Sequence, residues 1–109
     1  MKTTDNLGQF EQLVLLALLR LQDNAYGMAI RREIAERTGR DVSIGAVYAT
    51  LDRLAEKKYI SSLDAPGGAE RGGKAKRFFK IEGTGKIALR QSQEQLQKMA
   101  YGLPQLEAM

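Results

Sequence analysis

Apolar residues recur at helical spacing in four stretches of this chain, and two short alternating stretches separate the third from the fourth. From about Gly8 to Leu21, Phe10, Leu13, Val14, Ala17, Leu18 and Leu21 share one helical face. Leu15, Leu16 and Leu19 lie off that face. A helix that is apolar nearly all round needs cover nearly all round. A small chain supplies little of it, so these three leucines predict contact with a second subunit. A second helix is expected from about Ala25 to Arg37, capped by Asn24 or Asp23, with Tyr26, Ile30 and Ile34 as its buried stripe. Gly39 suits a left-handed stop.

Ser43 is the N-cap candidate for a third helix that ends near Lys57. Ile44, Val47, Tyr48, Leu51, Leu54 and Ala55 form its core face. The opposite face carries Gly45, Ala46, Ala49, Arg53 and Glu56, with Thr50 and Lys57 at one edge. Solvent faces favour long polar side chains, so small residues in mid-helix point to close approach of another surface. Residues 59–63 and 76–81 then read as two strands, joined by a loop with Pro66 and four glycines. The last helix, from about Thr84, sets Leu89, Leu96 and Leu103 seven apart, with Ser92, Met99 and Leu106 at the complementary offset. This narrow seam predicts pairing with a partner, and Pro104 ends or bends the helix. Leu15, Leu16, Leu19, Leu89, Leu96, Met99 and Leu103 are therefore the expected dimer interface.

Charge sharpens the picture. The net +4 of the 109 residues is concentrated between Ala65 and Lys80, where five cations meet one anion; the remainder is balanced, 12 against 12. A local excess of this kind is a footprint for a polyanion. Gly68 to Lys74 also fits G-x-x-x-x-G-K. A nucleotide loop, however, needs Ser or Thr after the lysine and a helix beyond it, whereas Ala75 and a strand-like segment follow here. Enzyme chemistry has little support. The chain has no histidine and no cysteine, and its carboxylates do not cluster, so no general base, metal centre or cofactor is expected. No apolar run is long enough for a bilayer span and the first residues are polar without a leader pattern, which predicts a cytoplasmic protein.

The resulting fold class is mainly α with a small β-hairpin: a winged helix-turn-helix followed by a C-terminal dimerisation helix. The expected division is 1–82 for the DNA-binding unit and 83–109 for the dimerisation helix, packed as one compact body. In such a layout the third helix enters the major groove and the wing lies along the backbone. Gly45, Ala46, Ala49, Thr50 and Arg53 are the expected base-facing residues, and Arg71, Lys74, Lys76 and Arg77 the phosphate-facing ones. Of Phe78 and Phe79, one is expected in the core. The rival reading is a winged-helix interaction module whose basic wing docks an acidic protein.

Three stretches carry a family likeness: Tyr26-Gly27, the segment from Ser43 to Leu54 with its Gly, Tyr and Leu-x-x-Leu, and the basic aromatic strand from Gly72 to Ile81. Together they resemble the PadR family of bacterial winged-helix transcriptional regulators, over about Leu7 to Leu103. The resemblance implies a homodimeric repressor held by its first and last helices on an inverted repeat. It places Tyr26, Ser43 and Tyr48 at the DNA. It also implies a small-molecule effector of unidentified structure, although the chain lacks the Trp that would suit a flat aromatic one. Ala49 and Ala75 stand where the family often has Pro, and Glu82 where a Thr commonly caps the last helix.

Overall fold

A computed structural model describes residues 7–65 and 76–107. Its order is α1 (Gln9–Leu21), a short 3-10 turn (Gln22–Asn24), α2 (Gly27–Thr38), α3 (Ile44–Glu56), β1 (Ile60–Ala65), β2 (Lys76–Ile81), α4 (Gly83–Ala100) and α5 (Pro104–Glu107). The strands form one antiparallel hairpin, with Ile60 opposite Ile81 and Ala65 opposite Lys76. This is the helix-turn-helix-plus-hairpin order expected from the apolar pattern.

One core joins the elements. Val14, Leu15 and Leu18 of α1 meet Ile30 and Ile34 of α2, Val47, Leu51 and Leu54 of α3, and Ile60, Phe79 and Ile81 of the hairpin. Ala88 and Leu89 close it from α4. Phe79 is thus the core phenylalanine, while Phe78 packs edge-on against Tyr26 with ring centroids 5.7 Å apart.

Two interface expectations are corrected here. Leu15 is 0% exposed and Leu89 is buried, both inside their own subunit. Leu15 is covered because α2, α3 and the hairpin surround α1 more completely than its main apolar face suggested. Leu89 sits in the first turns of α4, which pack on α1. Leu16 is half-buried and Leu19 exposed.

The helix ends follow local chemistry with two exceptions. Ser43 caps α3 as expected, its Oγ accepting the Ala46 N–H at 3.0 Å. Gly39 ends α2 at φ 74°, with its N–H on the Ala35 carbonyl. Arg31 then fastens the α2–α3 turn by donating Nε–H to the Val42 carbonyl at 2.6 Å. The start of α2 differs from expectation. Neither Asp23 nor Asn24 caps it, because Ala25 and Tyr26 are drawn into extended backbone by β2: the Ala25 carbonyl accepts the Phe79 N–H at 2.8 Å and Tyr26 bridges Phe78. Tyr26 becomes the N-cap residue and offers no side-chain cap bond. α4 starts one residue early, at Gly83; the Glu82 N–H donates to the Tyr59 carbonyl at 2.8 Å and Thr84 Oγ1 donates to the Lys58 carbonyl at 2.6 Å.

Lys58, at φ 67°, occupies the left-handed position after α3. The Tyr59 N–H reaches the Leu54 carbonyl and the Lys58 N–H the Ala55 carbonyl, a Schellman closure made without glycine. It turns the chain at once into β1 and so fixes the hairpin beside α3. At the other end, α4 stops at Ala100, before Gly102 at φ 77°, and Pro104 opens α5.

Candidate nucleic-acid interface

α3 presents an exposed, nearly bare N-terminal half. Gly45, Ala46 and Ala49 face solvent, so a rigid surface can approach the helix backbone there. Ser43 Oγ spends an acceptor on its cap and still carries an O–H donor at the rim of this face. The C-terminal half is different in charge: Asp52 and Glu56 are exposed beside Arg53. A polyanion is therefore best accommodated over Ser43 to Ala49.

α3 is also rolled relative to expectation. At 100° per residue the buried residues Val47, Thr50, Leu51 and Leu54 centre about 55° away from the predicted core face, toward Thr50. Thr50, expected to face bases, is only 1% exposed, and its Oγ1 accepts Arg53 Nη2–H at 3.1 Å. It cannot reach a duplex. The cause is α1, whose first turn covers this edge of α3 through Glu11: Lys57 Nζ is 3.2 Å and Arg53 Nε 3.8 Å from Glu11 Oε2. On the opposite edge Ala55 and Tyr48 turn outward, and Tyr48 is 43% exposed.

Tyr48 explains a glycine. Its ring and hydroxyl lie on Gly27, where any Cβ would overlap the hydroxyl. The Tyr48 hydroxyl thus stands at the first turn of α2, whose leading N–H groups have no intrahelical partners and carry partial positive charge. Tyr26 is the neighbouring N-cap, and Lys76 Nζ sits 3.8 Å from its ring centroid. This cation–π contact places the first residue of β2 beside the same helix end.

Arg77, next along β2, donates Nε–H to Asp64 Oδ1 across the hairpin at 2.9 Å. That bond, and the Asp64 charge, push the Arg77 pKa above its ordinary value against a small desolvation effect. Asp52 and Tyr48 of α3 act in the same direction, more weakly. Tyr48 on Gly27 and Lys76 over Tyr26 together bring the exposed edge of α3 and the first residue of β2 to the same end of α2. Arg71 and Lys74 lie outside the described residues. The segment after Lys74 is strand β2 and not a helix, which removes the nucleotide-loop reading.

Sequence reasoning missed Glu11, Asp52 and Asp64 as charges that act on the expected DNA-facing cations. Glu11 was detectable, because it falls three residues before Val14 and seven before Leu18 on the core face, at capping-box spacing from Gly8. Asp64 lies one residue before the basic segment that runs from Ala65 to Lys80. The Tyr48–Gly27 contact has no local signal.

Among the described residues no group of acidic side chains is arranged to hold a metal ion. Nor is any helix among them long and apolar enough to cross a membrane.

Comparison with known proteins gives a consistent result. A family model described as the transcriptional regulator PadR-like family matches residues 15–91. A PadR family transcription regulator from Clostridium difficile R20291 superposes with a TM-score of 0.73 at 21% identity, covering 91% of this chain and 98% of that one. A PadR family transcriptional regulator from Eggerthella lenta gives 0.69 at 25% identity, covering 87% and 80%. A PadR-like transcriptional regulator from Bacillus cereus gives 0.70 at 18% identity, covering 89% of each chain. No curated protein matches the chain.

Proposed function

The chain belongs to the transcriptional regulator PadR-like family, and on that premise we propose that it binds an inverted-repeat operator as a homodimer and represses the adjoining promoter. The family consists of regulators of transcription, not of enzymes. The observation that carries the reading is that the Tyr48 hydroxyl of α3 lies on Gly27 at the start of α2, where Tyr26 is bridged to Phe78 and holds Lys76 over its ring, so that the exposed edge of α3 and the first residues of β2 meet at one helix end. In this reading Gly45, Ala46 and Ala49 lie against base edges, and Ser43, Tyr26, Tyr48, Lys76 and Arg77 meet phosphates, with Arg71 and Lys74 extending the contact along the wing. Arg53 joins them after leaving its partners on α1 and α3. A protein seated on a promoter excludes the polymerase, which makes repression the direct consequence of occupancy.

Uncovered apolar surface supports the dimer. Leu96 is 62% and Met99 80% exposed, and Leu103 and Leu106 continue the seam. An open groove of about 650 Å³ between the end of α1 and the hairpin is lined by Leu18, Leu19, Leu63, Phe78 and Ile81. The division at residues 82 and 83 then separates the DNA-binding unit from the helix that pairs subunits. Leu96→Asp should convert dimer to monomer in analytical ultracentrifugation with the helical circular dichroism retained, since Leu96 is not part of the subunit core. A dimer of unchanged mass would count against this seam. Two subunits related by a two-fold axis would read half-sites about one helical turn apart.

The test of function is a titration of the chain's own upstream DNA against random duplex at about 0.15 M salt. Preference for the upstream DNA by about 10³ or more is expected. Equal affinity for both, or binding only to acidic protein, would favour the interaction-module reading. In the same assay Lys74→Ala with Arg77→Ala should weaken cognate and random binding alike. The slope of log K on log salt should flatten by between about 1 and 2. Arg77 contributes less than a full unit, because Asp64 already neutralises part of its charge. An unchanged slope would remove the wing from the interface.

A further inference from the structure

Glu11 holds the N3 capping-box position of α1, where Glu is common, but it is buried, which a carboxylate rarely is. Its side chain is only 10% exposed. One carboxylate oxygen accepts the Gly8 N–H at 2.8 Å; the other lies 3.2 Å from Lys57 Nζ and 3.8 Å from Arg53 Nε. A buried carboxylate has to keep cationic or N–H partners, and Gly8 with Lys57 already meets that need. The Arg53 contact is longer than a hydrogen bond and half open to water, with 54% of the side chain exposed. It is a charge attraction that a better acceptor can displace.

We propose that Glu11 is a positioning residue for DNA reading: its carboxylate holds Arg53 against α1, so that Arg53 engages only a site whose acceptors replace Glu11 and Thr50. This rests on the reading of α3 as the DNA-facing helix. The reasoning is differential. On random DNA Arg53 meets chiefly phosphates, because a guanine seldom stands in register with it, and a cation that is already partly neutralised gains less from counterion release. A guanine O6/N7 pair offers two aligned acceptors to the guanidinium fork, a geometry that a single carboxylate oxygen at 3.8 Å does not match. Glu11 thereby lowers affinity for random sequence more than for the cognate site. It also orients Arg53 jointly with Thr50, whose burial fixes the position of the hydroxyl.

Glu11→Gln tests this, because glutamine keeps the size and the acceptor for the Gly8 N–H while removing the charge. Affinity for random duplex should rise about two- to fivefold, the range set by half-exposed ion pairs. The salt slope on random duplex should steepen by up to about 1. Cognate affinity should change less, so the specificity ratio falls. In an Arg53→Ala/Lys57→Ala background the same substitution should leave the slope unchanged. A purely structural role would lower the melting temperature without moving slope or ratio, and that result would overturn the proposal. Should Glu11→Gln not fold, Thr50→Val decides: it frees Arg53 from its hydrogen bond while preserving side-chain volume, and a falling ratio supports the idea whereas an unchanged one sinks it. Loss of discrimination in the wild-type chain itself would instead mean that the assignment of α3 to DNA is wrong.

Discussion

Ala49→Glu is expected to weaken operator binding by more than about 100-fold, equivalent to about 3 kcal/mol, while leaving the melting temperature nearly unchanged. Ala49 lies at the centre of the bare half of α3, flanked by Gly45 and Ala46 and exposed to solvent. Nothing in the subunit packs on it tightly enough to resist a longer side chain, and Glu is a better helix former than most residues, so folding should tolerate the change within about 0.5 kcal/mol. At the interface two penalties coincide. The longer side chain would hold the helix away from the groove floor, and its carboxylate would add negative charge where the proposal seats a polyanion. Ala49→Gln carries the bulk without the charge, and its smaller loss would separate the two. Operator binding by Ala49→Glu within about threefold of wild type would show that this half of α3 does not meet DNA. The substitution is also informative about Arg53: if the C-terminal half alone carried the contact, Ala49→Glu would be mild.

Gly85→Ala is expected to destabilise the fold by about 2 kcal/mol, although intrinsic helix propensity argues the opposite. In the first turn of α4, exchanging glycine for alanine should gain up to about 1 kcal/mol. A Cβ at this position, however, would overlap the backbone carbonyl of Tyr59 and press on Ile81 Cγ1 at 3.0 Å. The carbonyl cannot retreat cheaply, because it accepts the Glu82 N–H at 2.8 Å and follows the left-handed turn at Lys58. Overpacking against fixed backbone costs about 3 kcal/mol, so the clash outweighs the propensity. For a chain of this size the melting temperature should fall by roughly 8 °C, compared at equal protein concentration because the proposed dimer would shift the midpoint. A change of less than about 2 °C would mean that α4 moves freely over the end of α3. That result would also weaken the case for a rigid link between the DNA-facing unit and the seam of α4.

How far the site was legible in the sequence can be judged from α3. Ser43 as cap, the Val47–Leu51–Leu54 stripe and the bare Gly45–Ala49 surface were all readable, because capping and the 3.6-residue period act within a few residues along the chain. Thr50 lies at the polar edge of the isolated helix but is buried in the fold. Its burial depends on the first turn of α1, and the bond that ties the two helices, from Lys57 to Glu11, spans 46 positions. Tyr48 falls on the apolar face of its own helix by periodicity, yet its neighbour is Gly27, on another helix. The wing cations were visible as a charge excess, but their present partners were not. Asp64 meets Arg77 only through the hairpin register, and Tyr26 meets Lys76 only because the start of α2 is bridged to β2.

The division between the two sources of information follows from the range of the forces involved. Element type, element order, most helix ends and the concentration of positive charge were contained in the chain, since periodicity, capping and turn chemistry are local. The roll of α3, the inward placement of Leu15 and Leu89, and the pairing of Glu11 with Arg53 and Lys57 were decided by the assembled body. Each depends on which distant segment lies over a given flank, and a flank that looks like surface on an isolated helix becomes interior once another element covers it.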